Sequence, residues 1–197
     1  MPVLRDTTRV SILSALGCLL MFVQVPLFPS APFLTYDAGD IPVLIAAFAL
    51  GPWKGVAAAA LKNVLFLFLH PTPDLFVGAP MNFLAGASMA FVAGSLYQAR
   101  KTKTRAIVSL VVGVAAMTVV MLGANLLVLP WFVRVFFPGV PAEVKGAMLL
   151  GTILPFNVLK GSINAVLCFL VYKRISPVLK AANWEMPTPA PAAATSR

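Results

Sequence analysis

The stretch from Ala106 to Val128 reads AIVSLVVGVAAMTVVMLGANLLV, 23 residues without a single charge. A helix that crosses the hydrocarbon core of a bilayer needs about 20 predominantly apolar residues. Polar and apolar residues do not alternate here, as they would along a barrel strand. With no water to satisfy its backbone groups, such a segment crosses lipid only as a helix.

The rest of the chain agrees. Of its 197 residues, 60% are hydrophobic and 11% charged, against about 45–50% and about 25% in an average soluble domain. That excludes a soluble globular domain, a disordered chain and a disulfide scaffold. The expected fold class is an all-α integral membrane protein with six transmembrane helices. The spans run from about Val10 to Leu27, Asp40 to Gly51-Pro52, Gly55 to Leu69, Pro80 to Tyr97, Ala106 to Val128 and Gly146 to Tyr172. Pro26, Pro29 and Pro32 force a non-helical segment through Asp37. Asp37-Ala38-Gly39-Asp40-Ile41-Pro42 has a capping acid followed by an early proline, a helix-start signal. Residues 1–180 are expected to form the membrane domain and 181–197 a disordered Pro/Ala-rich tail. No small-residue cleavage site follows the first apolar run, so no cleavable signal peptide is expected.

Fifteen Lys and Arg against six Asp and Glu give a net charge of +9. In a soluble protein that excess would suggest nucleic acid. In this chain it sets orientation. Six spans place Arg5, Arg9, Lys54, Arg100, Lys101, Lys103, Arg105, Lys173, Arg174 and Lys180 on one side. Asp37, Asp40, Asp74 and Glu143, with only Arg134 and Lys145, fall on the other. Basic loops stay inside, so both termini are expected in the cytoplasm. Cys18 and Cys168 lie in apolar segments and read as packing residues.

No catalytic constellation is present. His70 has no Cys, His or Glu cluster around it for a metal, and no Walker A loop is present to bind ATP. Uphill transport would need an ATPase partner or an ion gradient. An ion-coupled carrier is disfavoured, because all six acids sit at loops or helix ends, and no inverted repeat is evident.

Polar groups inside spans are where function is expected. Asn157, Lys160 and Asn164 recur at i, i+3 and i+7, within a roughly 60° arc of one helix face. A mid-span lysine costs about 3 kcal/mol or more facing lipid, so Lys160 must face the bundle, a cavity or a ligand. Asn125 lies toward the same outer side. Two carboxamides and one ammonium suit a neutral, planar, amide-rich ligand better than a phosphate, which favours several Arg or Lys. Lys62 is either a second interior charge or a snorkelling side chain. Asn82, Gly86, Ala90 and Gly94 form a small-residue packing stripe. Ser11 with Ala15, and Ser14 with Cys18, are small-xxx-small pairs on the first span, suited either to internal packing or to a partner helix. Phe33, Leu34 and Tyr36, on the proline-stiffened outer segment, are placed to cover a pocket mouth or to anchor at the interface.

Several segments carry a family resemblance. They are Phe33-Leu34-Thr35-Tyr36-Asp37-Ala38-Gly39-Asp40-Ile41-Pro42, Phe48-Ala49-Leu50-Gly51-Pro52-Trp53-Lys54-Gly55, Leu61-Lys62-Asn63 and Leu154-Pro155-Phe156-Asn157-Val158-Leu159-Lys160-Gly161. Over about residues 5–180 the chain resembles the substrate-binding S components of energy-coupling factor (ECF) vitamin transporters, specifically the riboflavin-specific ones. The resemblance implies a six-helix bundle with an outward vitamin pocket, working with a scaffold transmembrane subunit and two ABC-type ATPases. It implies riboflavin as transported ligand rather than cofactor, and no enzymatic activity. It matches Asn125, Asn157 and Lys160 to the ligand-contacting polar positions. It matches the outer segment, with Phe33, Leu34, Tyr36, Asp37 and Asp40, to the ligand cover. Asn164, on the same helix face as Asn157 and Lys160, completes the expected ligand set. Ser11 and Ala15 match the scaffold-contacting face, with Ser11 replacing the usual alanine. An S component for another vitamin, or a stand-alone secondary transporter, is the alternative.

Overall fold

The computed structural model describes residues 2–29, 31, 34–72, 75–136 and 148–181. Among these, six helices form the bundle: α1 Pro2–Leu20, α2 Asp40–Leu50, α3 Pro52–Leu69, α4 Leu75–Ala99, α5 Lys103–Phe136 and α6 Leu154–Ala181. A π-helical turn, Leu149–Ile153, leads into α6. A short antiparallel ribbon pairs β1 Val25–Pro26 with β2 Thr35–Tyr36, Val25 opposite Tyr36. Phe33, Asp74, Glu143, Lys145 and the expected tail from residue 182 onward lie outside the described residues.

Four helical segments are long and apolar enough to cross a membrane: Pro52–Leu69, Phe76–Ala99, Lys103–Phe132 and Leu149–Pro177. The first and second expected spans differ from this pattern for physical reasons. α1 ends at Leu20, not Leu27. Its last carbonyls accept tighter i+3 bonds from Met21, Phe22 and Val23, and the chain then turns into β1, where Pro26 has no N–H to continue a helix. α2 has only 11 residues, about 16 Å at about 1.5 Å per residue. That is too short for a hydrocarbon core of about 30 Å. Every one of its residues is buried. α2 is apolar because protein surrounds it, packed against α1, α3, α4 and α6.

Small residues let the other helices close on α2. A Cβ on Gly55 would lie 2.6 Å from the Ala47 Cβ, and one on Gly94 would lie 3.0 Å from it. Gly51 joins α2 to α3 at φ 106°, a conformation natural to glycine, and Pro52 opens α3 where no backbone donor is needed. Phe48 stacks on Tyr97 (ring centroids 4.3 Å) and meets Tyr172 edge-on at 5.4 Å. Gln98 Nε2 donates to the Phe48 carbonyl at 2.8 Å. These contacts gather the C-terminal ends of α2, α4 and α6.

The start of α1 joins that same end, because Asp6 pairs with both Arg9 and Lys54 at 3.7 Å. Arg5, Arg9, Lys54, Arg100, Lys101, Lys103, Arg105, Lys173 and Arg174 therefore fall toward one end of the bundle, whereas Arg134, near the C-terminal end of α5, falls at the other. The opposite end receives the C-terminal ends of α1, α3 and α5 and the N-terminal ends of α2, α4 and α6. Large apolar side chains such as Phe68, Phe76, Val119 and Leu127 stand exposed around the outside, the surface expected of a helix bundle in lipid.

The two small-residue pairs on α1 separate cleanly. Ser14 and Cys18 are buried, with the Ser14 hydroxyl donating to the Val10 carbonyl at 2.7 Å. Ser11 and Ala15 are exposed, among Ile12, Leu16 and Leu19.

Candidate functional site

The end of the bundle away from the basic cluster holds a cavity of about 390 Å³, within the usual range of roughly 300–1,000 Å³ for small-molecule sites. Its walls come from α3, α4, α5, α6, the segment after α1 that holds Met21 and Gln24, and the segment Leu34–Asp37. Leu34, Phe66, Met81, Leu129, Phe132 and Phe156 give apolar surface, and Asp37, Asn82, Asn125, Asn157 and Lys160 give polar groups. Gln24, Thr35, His70 and Thr72 also line it.

Lys160 does not stand alone. Its Nζ donates to Asp37 Oδ2 at 3.0 Å and to Asn82 Oδ1 at 3.4 Å. Asn82 Nδ2 approaches the same Asp37 oxygen at 3.5 Å. The other Asp37 oxygen accepts the Gly39 N–H at 2.9 Å. Asp37 belongs to the connection between α1 and α2. Burial pushes its carboxyl upward, but the nearby Lys160 and Lys62 charges and the hydrogen bonds from Lys160 and Gly39 outweigh this and hold it below the usual carboxylate range. The lysine expected as an isolated interior charge is thus half of a neutralised pair.

A second pair lies beside it. Lys62 Nζ donates to Asp40 Oδ1 at 2.6 Å, and both side chains are fully enclosed. Lys62 therefore does not snorkel. Asp37 and Asp40 do sit at a loop and a helix end, yet both are buried, so position near an end did not mean exposure to water. Nor does Asp40 cap α2: it is the first residue of the helix, the N-cap position is Gly39, and no side chain caps it.

The two cavity carboxamides have a fixed orientation. Asn125 Nδ2 donates to the Met121 carbonyl and Asn157 Nδ2 to the Ile153 carbonyl, both at 2.8 Å. A carbonyl only accepts, so the nitrogen must face the helix turn, and each Oδ1 is left without a hydrogen-bond donor among the described residues. The Ile153 carbonyl ends the π turn that precedes Pro155, whose missing N–H removes a normal helix bond. π turns frequently mark functional sites.

The expected ligand set is therefore partly assembled at the cavity. Asn125, Asn157, Lys160, Leu34 and Asp37 line it. Tyr36, Asn164 and Asp40 do not. The half-buried Tyr36 hydroxyl donates to Asn164 Oδ1 at 3.2 Å, behind the wall. Phe33 lies outside the described residues. Sequence reasoning missed Asn82 as a cavity group. Gly86 and Gly94 below it do pack against α2, as expected of the stripe, but the stripe's polar head faces the cavity. The available signal was an asparagine on the same outer side as Asn125 and Asn157.

The family model for the ECF transporter substrate-specific component matches residues 5–172. The chain belongs to this S-component family. Riboflavin transporter RibU of Staphylococcus aureus is 34% identical over 173 residues, covering 87% of this chain and 90% of the relative. Riboflavin transporter FmnP of Bacillus subtilis is 33% identical over 174 residues, covering 85% and 90%. A solved S component of a bacterial ECF transporter superposes with a TM-score of 0.73 at 32% identity, covering 89% of this chain and 98% of that one. This S component is thus part of a transport system and not an enzyme. Its apolar helices are those of a multi-pass membrane protein.

Proposed function

We propose that this S component binds riboflavin in the cavity between the Asn125, Asn157 and Lys160 side chains, as the vitamin-capturing subunit of an ECF importer. The observation that carries the reading is the joint presentation of two outward carboxamide oxygens and a paired lysine in one mostly apolar cavity. The edge of the isoalloxazine ring offers one N–H and two carbonyls. An Asn125 or Asn157 oxygen takes the N–H, and Lys160 or Asn82 donates to a carbonyl. The aromatic and aliphatic walls take the ring faces and the dimethylbenzene end. Gln24 and Thr35, whose hydroxyl and carboxamide meet at 3.4 Å, are placed to meet ribityl hydroxyls. Support also comes from the relatives, which carry the riboflavin transporter name.

In this reading all six helices cross or enter the membrane, with α2 enclosed, and both termini lie in the cytoplasm beside the basic end. The outer segment from Phe28 to Asp40, Phe33 included, covers the mouth. Tyr36, Asn164 and Asp40 support the ligand from behind the wall. The exposed Ser11–Ala15 face of α1 docks on a scaffold subunit, and two ATPases supply the energy. Residues 1–180 form the binding domain and 181–197 a cytoplasmic tail.

Protein purified in detergent from riboflavin-replete cells should be yellow, with a flavin absorbance spectrum. Colourless protein that takes up no added riboflavin would move the assignment to another vitamin.

A further inference from the structure

We propose that the Lys62–Asp40 ion pair is a positioning pair for the binding site. It fixes the turn that carries Asp37, so that Lys160 is held at the cavity wall and not drawn away to a second carboxylate. This inference rests on the cavity being the ligand site.

The two acids stand three residues apart on one turn, Asp37-Ala38-Gly39-Asp40. Each is bound by a lysine from a different helix, Asp37 by Lys160 of α6 and Asp40 by Lys62 of α3. Only the first pair lines the cavity. Lys62 touches nothing there, yet it is fully buried. A buried ion pair is a poor source of stability, since apolar residues of similar volume often do as well or better. A role in placing charge accounts for it better than a role in holding helices together.

The turn has no room to shift. A Cβ on Gly39 would lie 2.7 Å from the Gly17 carbonyl oxygen, and one on Gly17 would lie 2.8 Å from the Gly39 carbonyl oxygen. On the other side, a Cβ on Gly86 would lie 2.6 Å from Asp40 Oδ1. The turn is therefore gripped by α1, α3 and α4, with Asp40 as its anchor.

Lys62 is the only hydrogen-bond donor to Asp40 among the described residues, and Asp40 Oδ2 is buried without a partner. Removing Lys62 leaves a bare carboxylate in a low-dielectric interior, where unpaired charge is very costly. Lys160, already within electrostatic reach of Asp40, is the remaining buried cation of this cluster. It would be drawn from Asp37 toward Asp40, taking its donors from the cavity. Removing both partners leaves nothing to draw it.

The test is a riboflavin titration of the full-length protein in detergent, reading stoichiometry and Kd separately for wild type, Lys62→Met, Lys62→Met/Asp40→Asn and Lys160→Ala. Stoichiometry reports the folded fraction, and Kd reports the geometry of what is folded. Lys62→Met should weaken Kd at least tenfold, and the double variant should return to within about threefold of wild type, since the orphaned charge is gone. A merely structural pair would lower stoichiometry in Lys62→Met and leave Kd unchanged, which overturns the inference. A double variant as weak as Lys62→Met overturns it too. If Lys160→Ala also leaves Kd unchanged, the site reading itself fails. If Lys160→Ala alone weakens binding, only the positioning role of Lys62 fails.

Discussion

Lys160 on α6 and Asp37 before α2 meet at 3.0 Å across 123 residues of sequence, and both face the same cavity. Their charges cancel, so the wall offers a ligand hydrogen-bond donors without net charge. This separates the site from one built for an anion, where several uncompensated Arg or Lys would be expected.

The first prediction concerns the cavity groups. Lys160→Ala removes the ion-pair partner of the buried Asp37, and Asn157→Ala removes an outward acceptor. Each should weaken riboflavin binding at least tenfold, because a buried polar partner is left unpaired. Flavin fluorescence quenching titrations check this.

Asn82 bridges Asp37 and Lys160. Asn82→Leu should weaken binding by about tenfold or more, the cost of a charge-assisted hydrogen bond. Isothermal titration against riboflavin measures it, and an unchanged affinity would remove Asn82 from the site.

A neutral wall should discriminate against phosphate. FMN should bind at least about tenfold more weakly than riboflavin, since its phosphate finds no uncompensated cation among the described cavity residues. Competition between the two flavins on one sample tests this, and equal affinities would contradict it.

The two faces of α1 should respond differently. Ala15→Trp, on the exposed face, should leave riboflavin affinity of the isolated subunit within about twofold, as surface changes usually do, while abolishing uptake by cells. Ser14→Trp, in the buried face, should destabilise the subunit itself by roughly 1–3 kcal/mol through overpacking. Thermal melts in detergent beside cellular uptake assays distinguish the two.

Helix order and the ends of α2 and α3 were legible in the sequence, because apolar length and proline position are local signals. But α1 begins at Pro2 rather than Val10, α4 begins at Leu75 rather than Pro80, and α5 and α6 run past their expected ends to Phe136 and Ala181. α2 was legible as a helix but not as an enclosed one. Its 11 residues look like a short span until the neighbours that bury them are known. The end of α1 was misplaced because an apolar run from Met21 to Leu27 serves equally well as lipid-facing helix or as the approach to a cavity-lining ribbon.

At the site, Asn125, Asn157 and Lys160 announced themselves as polar groups in lipid-length segments. Their partners did not. Pairing of Asp40 with Lys62 and of Asp37 with Lys160 spans 22 and 123 residues, and nothing local distinguishes a buried loop acid from a solvated one. Tyr36 and Asn164, expected as ligand residues, do not line the cavity and hydrogen-bond to each other instead, a pairing across 128 residues that nothing local announces.

The most direct measurement is a fluorescence titration of riboflavin with the purified S component. Saturable quenching at one vitamin per chain, lost or weakened at least tenfold in Lys160→Ala, is the expected result. Absence of saturable quenching in the wild-type protein, or equal quenching in Lys160→Ala, would contradict riboflavin capture by this cavity.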